Sequence, residues 1–259
     1  MKSPFITLKF VIAAVIFFSS NISYSQKTVG LDNWFNHEIN PKTGKVYHYT
    51  WDDTSNSGFS QFGDIFKSKG VKLKTLGKPV RKTLSRVNIY IIVDPDTTSE
   101  NPKPNYIQKD DIKAISKWVK KGGVLLVMAN DKPNCEFTHL NNLARVFGMH
   151  FNPVTLNKVT GTNWEMGAET DFPVHPLFIG VKKIYLKEVS SITTWDGAKP
   201  VLKDKNVAYM AEAKYGKGFV FAVGDPWIYN EYIDNKILPS DFNNLRAANN
   251  LVGYLLKSH

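Results

Sequence analysis

Two continuous apolar runs constrain the fold of this chain more than any other feature. They are "VNIYIIVDPD" at 87–96 and "GVLLVMAND" at 123–131. Runs of this kind, without polar alternation, are typical of parallel strands that are buried on both faces of a sheet. Between them, residues 106–123 have apolar side chains at helical spacing and reach a stop signal at Gly122. The alternation indicates an α/β fold.

Predicted strands and helices alternate through the first half, and the second half is typical of β-ribbon and loop before a closing helix. The helix at 138–148 is expected to have Thr138 as its cap and to close at Gly148. We therefore expect one domain over residues 26–259, a three-layer α/β sandwich with a mainly parallel sheet. The other predicted elements are strands at 27–32 and 71–76, a helix at 57–70, ribbon at 151–161 and 181–195, a hairpin at 207–227 that turns at Gly216 to Gly218, and a helix at 241–258.

Residues 1–25 have the pattern of a cleavable signal peptide. A basic start precedes the nine apolar residues "FVIAAVIFF", which are too few to span a bilayer. Small residues at Ser23 and Ser25 predict cleavage after Ser25. Since no Cys lies near that site, we expect no lipid anchor, and export to the periplasm.

The charge of the mature chain favours an acidic partner. Loss of Lys2 and Lys9 with the signal peptide lowers the formal net charge from +10 to +8. No nucleic-acid-binding signature accompanies this charge, so nucleic acid is not the expected partner. For an exported protein, an anionic polysaccharide is the expected one, and solubility alone is the competing explanation of the charge.

Polar side chains follow four of the predicted apolar strands. They include Asp32 and Asn33 after the first strand, Asp94 and Asn130 after the next two, and Asp225 after the last. In open α/β sheets, ligands bind outside the carboxyl ends of the strands. The competing explanation is that such residues cap helices and form turns. Taken together, the set predicts a ligand site at one edge of the sheet.

Several Trp residues stand in polar surroundings, among them Trp34, Trp51 and Trp227. An exposed indole is a suitable platform for the apolar face of a sugar ring, because it buries a large flat area. The alternative is that long loops fold over and bury their own aromatic side chains. The same pattern therefore predicts either a sugar site or loop packing.

The polar loop at 33–57 contains His37 and His48 and is long for a connection between a strand and a helix. Loops of this length are often functional. An imidazole titrates near neutral pH, so either His is a candidate general base or acid. No His or Cys spacing of the zinc-binding kind is present, and we expect neither a metal nor another cofactor.

Beyond these patterns, the chain resembles a known family. The order "VGLDNWFNHE", "HYTWDD", "VNIYIIVDPD", "GGVLLVMAND" and "GKGFVFAVGDPWIYNEYID" resembles the class I glutamine-amidotransferase-like domains of Bacteroidetes that are fused to unsaturated-uronyl hydrolases of the rhamnogalacturonyl type. The resemblance implies a flavodoxin-like, amidotransferase-like α/β domain with β-ribbon additions. A free-standing secreted form is similar to the oligosaccharide dehydratases of ulvan degradation.

That similarity implies a carbon–oxygen lyase of polysaccharide utilisation. Such an enzyme removes water from the glucuronate or iduronate at the non-reducing end of an anionic, sulfated oligosaccharide. The product is a 4,5-unsaturated uronate, which the unsaturated-uronyl hydrolases then cleave. Glutamine hydrolysis is not expected, because Cys135 lies several residues beyond the strand that carries the nucleophile in true amidotransferases.

The residue types and positions suggest roles for such a reaction. We expect His37 to be the base at C5, with His48 as the second candidate, and Tyr229 to be the acid. The expected substrate-binding residues are Asn33, Asn130 and Lys132 for the carboxylate, Asp94 and Asp225 for hydroxyls or for orienting His37, Trp34, Trp51 and Trp227 as walls, and Glu231 beside them.

Two other functions fit the same sequence. The chain is also consistent with a non-catalytic glycan-binding or accessory module on a degenerate enzyme fold. A weaker alternative is a hydrolase that uses Asp94 and Asp225 as an acid–base pair.

Overall fold

A computed structural model describes residues 26–258 of the chain. The predicted signal peptide at 1–25 and its cleavage site lie outside the described residues. Within 26–258, no helix has both the length and the apolar character needed to cross a membrane.

Nine strands form one mixed sheet, and two short strands form a separate ribbon. The sheet strands are β1 (Thr28–Asp32), β2 (Lys72–Leu76), β3 (Ile89–Val93), β4 (Val124–Met128), β5 (Met149–Leu156), β8 (Val189–Thr194), β9 (Lys199–Asp204), β10 (Val207–Tyr215) and β11 (Gly218–Val223). The ribbon pairs β6 (Ala168–Glu169) with β7 (Ile184–Tyr185). The strand order of the sheet is β2-β1-β3-β4-β11-β10-β8-β5, and β9 pairs with β10.

Helices cover both faces of the sheet, so the predicted three layers are confirmed. The helices are α1 (Ser60–Ser68), α2 (Arg81–Leu84), α3 (Lys109–Lys120), α4 (Phe137–Ala144), α5 (Asn230–Ile233) and α6 (Asn244–Lys257). Helices α1 and α6 bury Phe62 and Leu251 in one core cluster, while α3 and α4 bury Ile115 and Leu140 in another. Successive residues of β3 enter opposite clusters, because side chains alternate along a strand.

The expectation of a mainly parallel sheet is correct for one part of the sheet and wrong for the rest. Strands β2, β1, β3, β4 and β11 are parallel neighbours, whereas β5, β8, β9 and β10 join by antiparallel pairing. The predicted ribbon segments become β5 and β8, which extend the main sheet. Tight turns join β9 to β10 and β10 to β11, and turns this short allow only antiparallel pairing, since parallel neighbours need a long crossover.

The start of α4 differs from the prediction, and a 3₁₀ turn over Arg145–Phe147 continues α4 to the predicted end at Gly148. Glu136, not Thr138, is the cap: the Glu136 carboxylate accepts the N–H groups of Thr138 and His139 at 3.0 and 2.9 Å. Glu is an uncommon cap, so sequence preference pointed to the Thr. The helical segment ends at Gly148, whose φ of +76° is a conformation that glycine adopts without strain.

Candidate functional site

The four polar strand ends lie side by side, as the sequence predicts. Strands β1, β3, β4 and β11 are consecutive in the sheet and parallel. The Asp94 N–H donates to the Met128 carbonyl at 2.8 Å, and the Ala129 N–H donates to the Val223 carbonyl at 2.9 Å. These bonds bring the residues that follow β3, β4 and β11 to the same edge.

A polar cavity of about 200 Å³ opens at this edge. Its walls come from the loop before α1, from the ends of β4 and β11, from the start of α5 and from the connection between β7 and β8. Five lining residues belong to the predicted site: His48, Asn130, Asp225, Tyr229 and Glu231. Five others were not predicted: Tyr49, Ser57, Asn134, Lys187 and Glu188.

Asp94 lies buried next to the cavity and is hydrogen-bonded to two of its lining residues. Its Oδ2 accepts the Tyr49 hydroxyl at 2.7 Å and the Asn130 side-chain amide at 2.9 Å. Its Oδ1 is buried with no hydrogen-bond partner in the described structure. Burial raises the pKa of Asp94 well above its ordinary value. The residue also has a φ of +43°, a strained conformation for a non-glycine.

Asp225 and Tyr229 are both buried on the β11 side of the cavity. Burial raises the pKa of Asp225 well above its ordinary value, and the nearby Lys187 ammonium partly opposes this rise. Burial, and then the charges of Asp225 and Asp94, raise the pKa of Tyr229 in the same way. The Tyr229 hydroxyl therefore keeps its proton at neutral pH, and it lies 3.4 Å from the Tyr49 hydroxyl.

His48 lines the cavity and has an unusual backbone conformation. Its φ is +57°, and its N–H donates to the Asp53 carboxylate at 3.1 Å. Burial lowers the pKa of His48 below 6.5, so the imidazole is neutral at pH 7. The Asn230 amide holds the following loop by donating to the carbonyls of Asp53 and Ser55 at 3.0 and 2.9 Å.

His37, which we expected to be the base, is not among the residues that line the cavity. The Asp32 carboxylate accepts the N–H groups of the turn that follows it, including that of Phe35 at 2.7 Å. The His37 N–H then donates to Asp96 at 3.0 Å, and its Nδ1 lies 3.1 Å from the Asn33 carbonyl. Asp96 is the carboxylate at the His37 backbone, and the recorded contacts of the His37 ring are to Asn33 rather than to Asp94 or Asp225.

The predicted Trp walls are not in the cavity either. Trp227 is fully buried in the core. Trp51 packs against Phe62 and Phe66, and its indole N–H donates to the Lys74 carbonyl at 3.0 Å. Trp34 is half-buried against the core on the other face of the sheet. Loop packing, the alternative to a sugar site, is the correct interpretation for Trp51 and Trp227.

Asn33 and Lys132 also lie apart from the cavity lining. The Asn33 N–H donates to the Leu76 carbonyl at 2.8 Å, which ties it to the end of β2. Lys132 is exposed, and its carbonyl accepts the Thr155 hydroxyl at 2.8 Å. The cation in the cavity is instead Lys187, from a connection that carried no sequence signal. Cys135 is buried, and burial raises the pKa of its thiol, which agrees with an inert role.

Three carboxyl groups lie close together beside His37. Glu38 is the most perturbed: burial, and then the charges of Glu100 and Asp96, raise its pKa to about 7. The Asp96 carboxylate accepts the Asn101 side-chain amide at 2.7 Å. Within residues 26–258, no three His, Cys, Asp or Glu side chains are grouped so that they could hold a metal ion.

Glu38→Gln is expected to stabilise the protein in alkaline solution. The folded pKa of about 7 is above the ordinary 4.5. The contribution of the Glu38 carboxyl to stability is therefore full below pH 4.5 and is lost as the pH rises through 7. The Gln side chain does not ionise, so the variant does not lose this contribution at high pH. After allowing for solvent screening, we expect a gain of about 1 kcal/mol at pH 8 and almost none at pH 4.5. Urea unfolding at both pH values measures it, and an equal gain at both would contradict the assignment.

Comparisons with known proteins give the fold alone. No family model matches the chain, and no curated protein matches it. The mmIFT52 N-terminal domain superposes with a TM-score of 0.69 at 14% identity, covering 90% of this chain and 98% of that one. Cytoplasmic Protein STM3548 from Salmonella typhimurium gives 0.56 at 16% identity, covering 88% and 98%. The cold-adapted β-galactosidase from Rahnella sp. R3 gives 0.51 at 13% identity, covering 80% and 30%. Proteins with such different names share the architecture, so the fold does not decide the function.

Proposed function

We propose that the protein is an exported, periplasmic oligosaccharide dehydratase that removes water from the terminal uronate of ulvan-type oligosaccharides. The observation that carries the proposal is one polar cavity whose lining includes a neutral imidazole, a protonated phenol and an ammonium group. These groups belong to His48, Tyr229 and Lys187. The unsaturated product would be the substrate of unsaturated-uronyl hydrolases in the same degradation sequence.

The first requirement of the reaction is stabilisation of negative charge on the uronate carboxylate. Loss of the C5 proton spreads charge onto that carboxylate, so a cation and hydrogen-bond donors must face it. Lys187, Asn130 and Asn134 line the cavity. The Lys187 ammonium lies 3.7 Å from the Glu188 carboxylate, and each amide would use the N–H that it does not donate to Asp94 or Asp131. The three lining residues take the role that was expected of Asn33, Asn130 and Lys132.

The second requirement is a base and an acid in opposite protonation states. His48, neutral because burial lowers its pKa, would accept the C5 proton. Tyr229, protonated because burial raises its pKa, would donate to the C4 hydroxyl. The C5–H and C4–O bonds break, the C4–C5 double bond forms, and water leaves.

The size of the cavity agrees with a reaction at a chain end. A volume of about 200 Å³ corresponds to roughly six or seven water molecules, at about 30 Å³ for each. That space suits a single sugar ring better than the middle of a polysaccharide chain. Selectivity for the terminal uronate would follow from this limit.

The arrangement of the parallel strands supports the amidotransferase-like type of fold. Counting β11 as the fifth parallel strand, the order β2-β1-β3-β4-β11 matches the flavodoxin-like order 2-1-3-4-5. Such sheets bind ligands where the strand order reverses, outside their carboxyl ends. We therefore propose a class I glutamine-amidotransferase-like domain without the amidotransferase nucleophile.

Product analysis tests the proposed function. The mature protein is incubated with ulvan oligosaccharides that end in saturated glucuronate or iduronate. We expect rising ultraviolet absorbance from the unsaturated uronate, and by mass spectrometry the loss of one water per oligosaccharide. Flat absorbance with shorter products would support the Asp94 and Asp225 hydrolase instead, and intact oligosaccharides with measurable binding would support a glycan-binding module.

A further inference from the structure

A group of exposed basic side chains lies at the end of the sheet away from the cavity, in segments that contain no acidic residue. Residues 65–93 contain eight Lys or Arg and no Asp or Glu, and residues 112–129 and 213–224 add six more Lys without an acid. The fold brings parts of these segments together. We name the resulting surface the basic face: Arg81, Lys82, Arg86, Lys117, Lys120, Lys121, Lys214 and Lys217, all exposed.

The basic face lies at the amino edge of the sheet, opposite the polar cavity. Helix α3 ends at Lys120, just before β4 begins, and α2 ends shortly before β3 begins. The turn between β10 and β11 lies against the end of α3, because the Lys217 N–H donates to the Lys120 carbonyl at 3.0 Å. In the part of the chain that the structure describes, none of these eight cations has a carboxylate within 4 Å.

A concave pocket of about 240 Å³ lies within this face, between α2 and α3. Its lining includes the three cations Arg81, Lys117 and Lys121 together with Trp118 and Ser85, and none of the lining residues is acidic. A pocket with three cations and an aromatic ring combines anion binding with a flat apolar platform.

The indole in this pocket is held in place by the backbone. A Cβ atom on Gly123 would lie 2.4 Å from the ring of Trp118, so only glycine lets the chain pass this close. Tyr90 contacts the same ring edge-on, with centroids 6.4 Å apart. A half-buried indole fixed in this way loses little freedom when a ring stacks on it, which favours binding.

We propose that the basic face is a second binding site, for an anionic polysaccharide chain, separate from the catalytic cavity. One sugar ring would rest on Trp118, its carboxylate or sulfate would contact Arg81, Lys117 or Lys121, and neighbouring anionic groups would follow the other cations. Single-stranded nucleic acid and anionic membranes are also negatively charged and are the other candidate ligands. A polysaccharide fits better because export is expected and because the pocket is concave and sized for one ring.

Affinity electrophoresis of the mature protein through gels that contain ulvan polysaccharide tests the proposal. We expect the triple variant R81A/K117A/K121A to bind about tenfold more weakly than the natural protein, with weaker salt dependence. The matched control K182A/K203A/K205A removes the same charge from exposed positions elsewhere and is expected to change the affinity less than twofold. Equal losses in both variants, or none in the first, would overturn the proposal.

Three further measurements distinguish a polysaccharide site on the basic face from the catalytic cavity and from a site for nucleic acid or membranes. Trp118→Phe is expected to lose most of the change in tryptophan fluorescence that ulvan polysaccharide causes, and an undiminished change would overturn the role of the pocket. The triple variant is expected to turn over short oligosaccharides as the natural protein does, so the polysaccharide test stands even if the dehydratase proposal fails. Tighter binding of oligodeoxythymidylate or of phosphatidylglycerol vesicles than of ulvan, lost in the same triple variant, would replace the polysaccharide with that ligand.

Discussion

Replacing His48 with Asn is expected to lower kcat for water elimination by about 100- to 1000-fold, since a positioned general base contributes on that order. Asn is the appropriate substitution because the φ of His48 is +57°, a conformation that Asn adopts more readily than Ala. The Asn retains a backbone N–H that can donate to Asp53. Initial rates of ultraviolet absorbance on uronate-ended oligosaccharides measure the effect.

His37→Asn is the matched control, since it makes the same change at the other His of the loop. His37 is not among the residues that line the cavity, so we expect kcat within about threefold of the natural protein. The pH profile adds an independent readout. Burial lowers the pKa of His48, so the natural enzyme should stay active down to a pH below 6.5 and lose activity only as that pKa is passed. Loss of activity in His37→Asn but not in His48→Asn would contradict the assignment.

Trp227→Ala is expected to lower the free energy of unfolding by about 3 to 5 kcal/mol, the usual cost of truncating a large aromatic in a core. Trp227 is fully buried, and its carbonyl accepts the Asn244 amide at 3.4 Å, so the cavity left behind lies under α6. Urea unfolding at constant pH measures this. We expect the loss to appear without any ligand.

Trp195→Ala is the control for this prediction. Trp195 is 37% exposed, and its truncation is expected to cost less than about 1 kcal/mol. If Trp227 were a sugar platform, as its sequence context suggested, Trp227→Ala would leave stability unchanged and weaken only oligosaccharide binding. That pair of results would contradict the core position.

The parallel part of the sheet could be predicted from the sequence because its signals are local. The apolar runs that contain β3 and β4 need burial on both faces, and the polar residues that follow parallel strands must meet at one edge. For the same reason Asp94, Asn130 and Asp225 were located correctly at that edge. The antiparallel extension is harder to predict, since a strand such as β9 buries only Val201 and Leu202 between exposed positions.

The membership of the cavity could not be predicted, because it depends on contacts between distant segments. Lys187 enters from the connection between β7 and β8, and no local pattern marks that connection. The choice between His37 and His48 depends on a turn that Asp32 caps with hydrogen bonds. The polar neighbours of Trp227 concealed its burial, since a residue that follows a strand can turn back into the core. The sequence shows which side chains could bind or react, but it does not show which of them point into the cavity.

A crystal structure of the His48→Asn variant with an ulvan oligosaccharide that ends in saturated glucuronate tests the central claim most directly. We predict that the terminal ring occupies the cavity at the carboxyl edge, with its carboxylate about 3 Å from the Lys187 ammonium and its C4 hydroxyl at Tyr229. The C5 hydrogen should point toward position 48. An oligosaccharide bound beside His37 and Trp34, with the cavity empty, would contradict the proposal.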